Sequence, residues 1–188
     1  MAKVLLAGLL GGLVAFAWGA VSHMVLNLGS MGIQKLPREA AVMATLSEEL
    51  SEPGLFVFPG VKPGVELSDD EQAQFDARYR KGPTGFLVYH PTGREPMPPE
   101  RLGLQVASDV VSALIAAVLL SMMTRVGYLR RVLFVTLLGA FAWASTDVPM
   151  WNWYRFPDDF TVGRLLDQLA CWFAAGLVIA GIVSGKPR

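Results

Sequence analysis

Three aspartates, Asp109, Asp147 and Asp167, stand near the same end of three separate apolar stretches, and Arg164 stands three residues before the last of them. Ionisable groups within apolar segments are costly to keep, so these are the residues most able to carry function. Arg164 and Asp167 can neutralise each other, or the aspartates can hold a proton for a carrier. His23, Gln105 and Gln168 fall at comparable positions in their own stretches and complete a candidate intramembrane polar cluster: His23, Gln105, Asp109, Asp147, Arg164, Asp167 and Gln168.

The other side chains that could do chemistry lack the spacing for it. No Gly-x-Ser-x-Gly elbow, Ser-x-x-Lys pair, P-loop or Gly-x-Gly-x-x-Gly turn is present to activate a nucleophile or bind phosphate, so no catalytic residue is assigned and an enzyme is not expected. His23 sits among glycines that would leave room for a flat macrocycle. With His90 the only other histidine and no Cys-x-x-Cys-His motif, neither a bound cofactor nor a metal is expected. The single cysteine, Cys171, permits no intrachain disulfide and reads as a packing residue.

The elements that must position the cluster are four apolar stretches: residues 4 to about 27, 102 to 123, 132 to 150 and 161 to 183. Each approaches the roughly 20 residues that cross a hydrocarbon core. In 188 residues, 53% hydrophobic and only 17% charged side chains, with a mean hydropathy of +0.42, make the chain more apolar than an ordinary soluble domain. Sixteen basic residues balance sixteen acidic ones without forming a run, which argues against nucleic acid as a partner. Ala17-Trp18-Gly19 loosely resembles a signal-peptide cleavage site, but the apolar run continues beyond it to Leu26, so retention as a span is expected.

At 100° per residue, the first stretch gathers Gly8, Gly11, Gly12, Ala15, Gly19, Ser22 and His23 on one sector, and small residues let helices approach closely. The second gathers Gln105, Ser108, Asp109, Ser112 and Ala116. Thr136, Gly139, Ala140, Trp143, Asp147 and Met150 share a face of the third, and Arg164, Asp167, Gln168, Cys171 and Ala175 a face of the fourth. This pattern predicts a four-helix bundle with the polar residues in one half. Arg164 and Asp167 are spaced to neutralise each other, and Asp147 lies near a helix end where water reaches. Asp109 lies roughly 10 Å into its span at about 1.5 Å per residue. It is expected to be buried and paired with Arg164, or with His23 or Gln168 as donor.

Lys3, the turn holding Arg125, Arg130 and Arg131, and Lys186 with Arg188 fall on one side if there are four crossings. The positive-inside rule makes that side cytoplasmic, with both termini there, in a cell inner membrane. The eight basic residues of 28–101 do not oppose this, because long loops largely escape the rule. Trp151, Trp153 and Tyr154 in the short outer loop 151–160 read as an interfacial belt. The order predicted for the 28–101 segment is a helix from Pro37 to about residue 50, a strand over 55–58, a helix from Ser68 to about residue 80 with Glu71 closing a capping box, and a strand over 86–89. Two strands are marginal alone, so docking on the spans through Phe56, Phe58, Phe86 and Val88 is expected.

With Trp18-Gly19-Ala20-Val21-Ser22-His23 in the first span, Pro53-Gly54-Leu55 to Pro59-Gly60 in the inserted segment and Trp151-Asn152-Trp153-Tyr154 after the third span, the chain resembles uncharacterised bacterial four-helix membrane proteins. That resemblance implies no activity. The expected architecture is an all-α membrane protein: a four-transmembrane-helix bundle, with span one over 1–27, a small α+β extracytoplasmic cap over 28–101, and spans two to four over 102–188. The expected role is that of an accessory or assembly subunit whose partners are the lipid bilayer and other membrane subunits. The rival expectation is a small proton-coupled carrier using Asp109, Asp147 and Asp167.

Overall fold

The computed structural model describes residues 1–62 and 64–183, so Lys186 and Arg188 of the charge pattern lie outside the described residues. Among the described residues there are six helices and two strands: α1 (Ala2–Met24), α2 (Glu39–Glu49), β1 (Gly54–Phe58), α3 (Asp69–Lys81), β2 (Gly85–Tyr89), α4 (Pro99–Met122), α5 (Tyr128–Tyr154) and α6 (Asp158–Ile182). They form two compact units, one of residues 1–33 and 96–188, the other of residues 34–95.

In the first unit, α1, α4, α5 and α6 are each long and apolar enough to cross a membrane. Little of their apolar surface is buried within the chain. Leu9, Ile115, Leu133, Phe141 and Phe173 are among many large side chains left exposed. A soluble bundle would bury such residues; a bilayer covers them instead, which fits a multi-pass membrane protein. Each helix extends beyond the expected span at one or both ends. α5 continues through Pro149 to Tyr154, which shortens the expected loop 151–160 to residues 155–157.

Close packing runs along three seams. α1 packs on α4 and α6, and α5 packs on α6, whereas α4 touches α6 lightly and α5 barely. Glycine makes the α1–α4 seam possible: a Cβ on Gly8 would lie 2.9 Å from the Leu114 Cα, and one on Gly12 would strike the Val110 backbone. Gly176 does the same between α6 and α5, where an added Cβ would lie 3.2 Å from the Val135 Cβ. Ala7, Ala113, Ala116, Leu120, Val135 and Ile179 belong to the buried core, which gathers toward the α4–α5 turn. Tyr128 and Arg131 tie that end to α6 by donating to the Leu177 and Val183 carbonyls.

The second unit keeps the expected order of helix, strand, helix, strand. β1 and β2 pair antiparallel, with Phe56 opposite Leu87 and Val57 opposite Phe86. The Ser68 capping box forms, its hydroxyl accepting from the Glu71 N–H while the Glu71 carboxylate accepts from the Ser68 N–H at 2.9 Å. One expectation fails. Pro37 is not the first helical residue, because Arg38 adopts a left-handed conformation and α2 starts at Glu39. The strand register divides Phe56, Phe58, Phe86 and Val88 between two faces of the sheet. Side chains alternate along a strand and partners share a face, so this register puts Phe56 and Phe58 on one side and Phe86 and Val88 on the other. Phe58 and Val88 are exposed.

Candidate functional site: a polar layer across the spans

The polar residues fall into a tied group and a separate one. In the tied group, Arg164 of α6 lies between two carboxylates: its Nε is 3.1 Å from Asp147 Oδ1 on α5, and its Nη1 is 3.8 Å from Asp167 Oδ2 one turn along α6. The first is a charge-assisted hydrogen bond; the second is longer than a hydrogen bond and acts as an ion pair. Asp167 Oδ1 accepts from the Trp18 indole of α1 at 2.8 Å, and Asp147 Oδ2 lies 3.0 Å from the Thr146 hydroxyl, which is also 2.7 Å from the Ala142 carbonyl. Three helices are joined through charged side chains that are 10–30% exposed. Such a network costs desolvation, which the shared guanidinium and the indole offset.

Asp109 is not part of it. The expected burial and pairing with Arg164, His23 or Gln168 is corrected: Asp109 is half-buried, and among the described residues its hydrogen-bond partner is Gln105 of its own helix, Nε2 to Oδ1 at 3.0 Å. The reason lies in the seams. α4 turns Val110 and Leu114 to α1 and meets α6 lightly, while the Arg164 guanidinium is already held by Asp147 and Asp167.

The remaining cluster members are engaged elsewhere. His23 is exposed, with Nδ1 3.0 Å from the Gly19 carbonyl and its ring against Gly29. Gln168 accepts from the Trp172 indole at 3.0 Å. Of the aromatic belt, Trp153 is 72% exposed, whereas Trp151 donates to Asp158 at 2.6 Å and staples α5 to α6. Among the described residues, no three histidine, cysteine, aspartate or glutamate side chains come together as metal ligands would.

Tryptophan is the residue type whose role the sequence reading missed. Trp18 holds Asp167, and Trp143 donates to the buried Thr161 carbonyl at 2.8 Å. An available signal was position: an indole N–H placed well inside a span needs an acceptor there, unlike one at a membrane surface. Ser22, fully buried one turn beyond Trp18, has no hydrogen-bond partner for its hydroxyl among the described residues.

Toward the end of α4 away from the α4–α5 turn, the seam with α5 is unfilled. Ala113, Ala116 and Leu120 are buried near the turn, but Asp109 and Ser112 are only half-buried, and Gln105 and Ser108 are exposed. Four polar side chains thus line a face of a span that the chain's own helices cover only in part. Compared with protein-family models, with curated proteins and with solved structures, the chain matches none.

Proposed function

We propose that this is a non-enzymatic integral membrane protein that works by association, as an accessory or assembly subunit of a larger membrane complex. The observation that carries the reading is the partly uncovered polar face of α4. Gln105, Ser108, Asp109 and Ser112 would otherwise face lipid, where a charged carboxylate alone costs at least about 2.5 kcal/mol. A helix from another subunit removes that cost, as no rearrangement of a satisfied Arg164 network is needed to do so. The positive-inside pattern supports reading both termini as cytoplasmic in a cell with an inner membrane, and the 34–95 unit as lying on the other side; cysteines at Ser68 and Thr92 then react with impermeant reagent in intact cells. The direct test is a photo-crosslinking residue in native membranes at Ser108, with Phe173 on an exposed face of α6 as control. A discrete protein adduct from Ser108 alone supports association; lipid adducts from both positions count against it.

One observation favours the carrier instead: Asp109 is not locked to Arg164. That reading shrinks from three aspartates to one, since Asp147 and Asp167 are held. It requires proton-coupled uptake that Asp109→Asn abolishes without loss of fold.

A further inference from the structure

The charges of the polar layer do not balance, and the imbalance describes the partner. Asp109, Asp147 and Asp167 share the layer with one guanidinium, that of Arg164, and its contacts go to Asp147 and Asp167. Arg101 and Arg155, at the ends of α4 and α5, make no ion pair with Asp109 among the described residues. What Asp109 has is one neutral amide from Gln105. It is the eleventh residue of the 24-residue α4, near the middle of a helix long enough to span a membrane, where a carboxylate calls for a cation or a proton. The face beside it is suited to a helix: Ser108 is small and exposed, Ser112 is half-buried, and Ile115 and Leu119, both exposed, continue an apolar ridge from Ser108.

Resting on the proposed role in association, we propose that this face of α4 receives a transmembrane helix of another protein that carries an arginine or lysine at the depth of Asp109. A second copy of this chain is a poor occupant, because a symmetric α4–α4 contact would bring a second Asp109 to the same depth. Lipid tails offer nothing to Gln105, Ser108, Asp109 or Ser112. An arginine supplies two parallel donors to the carboxylate, and the serines flanking it can accept from the rest of the guanidinium.

The test uses the full chain in phosphatidylcholine vesicles with labelled leucine–alanine peptides, one span long, bearing arginine, glutamine or glutamate at their centre; the central position makes peptide orientation immaterial. Energy transfer between chain and peptide reads binding. The arginine peptide should bind at least tenfold more tightly than the glutamine or glutamate peptide. Asp109→Asn should remove the preference and Asp109→Glu should retain it, with circular dichroism showing both variants folded. Equal binding of the arginine and glutamine peptides would leave helix association standing and overturn the charge-matched partner. Binding of none, with the chain monomeric, would overturn both. Energy transfer between two labelled copies of the chain that Asp109→Asn alters would make a second copy the occupant, and also overturn it.

Discussion

Arg164 is the residue on which the tied network depends. Replacing it with glutamine leaves Asp147 and Asp167 without their shared cation, and Asp167 with the Trp18 indole as its donor. Removing one partner of a poorly exposed ion pair costs about 3 kcal/mol or more, so Arg164→Gln should lower the thermal midpoint of the protein in mild detergent by many degrees. Adding Asp147→Asn and Asp167→Asn should recover most of the loss, because the stranded charges are then gone. An unchanged midpoint in Arg164→Gln would mean the network is not structural. The sequence made the three-residue spacing of Arg164 and Asp167 legible, and the shared face of Asp147. It could not reveal that α6 turns this pair toward α1 and α5 rather than toward α4, because that depends on which seams glycine closes.

At the scale of elements, the α1–α4 seam is set by glycine and by nothing else of comparable specificity. Gly12→Val should force α1 off α4, since a side chain there meets the Val110 backbone, which cannot move aside. Gly19→Val offers the control, because a Cβ at Gly19 meets nothing within 4 Å. The first should lower stability by an amount typical of core overpacking, about 1–3 kcal/mol, and the thermal midpoint with it; the second should leave both nearly unchanged. Equal effects would show that helix propensity rather than packing decides the seam.

The capping box of α3 gives a pH-dependent element outside the spans. The Glu71 carboxyl is held below its ordinary value of 4.5, first by the Ser68 N–H and then by the Ser68 hydroxyl. A carboxyl whose value is depressed by folding contributes stability that is fully present above 4.5 and is lost as pH falls through the lowered value. The Glu71 carboxyl resonance should therefore titrate at lower pH than in the Ser68→Ala variant, with fraying of the first turn of α3 following the same curve; coincident titrations would contradict the box. The elements themselves were largely legible. Hydropathy marked all four long helices, and Ser68 with Glu71 marked α3. Strand existence was readable, but the face each phenylalanine takes was not, because an antiparallel register is fixed by pairing and no local signal specifies it.

At the scale of the whole molecule, hydropathy and small-residue stripes predicted a bundle, and four long apolar helices joined by close seams form one. They did not reveal that one seam stays nearly empty. Helical wheels assign a polar face to each span and imply that the four faces meet, yet α4 turns its Asp109 face away from the α1 contact and only lightly toward α6. That partly uncovered face is the basis for reading the chain as a subunit rather than a self-sufficient machine. The most direct measurement is native mass spectrometry of the protein released from its own membrane with bilayer lipid retained. The account predicts the 20.4 kDa chain in a stoichiometric complex with a second, different polypeptide, and loss of that polypeptide in Asp109→Asn. A 20.4 kDa chain carrying lipid alone, identical in the wild type and in Asp109→Asn, would contradict it.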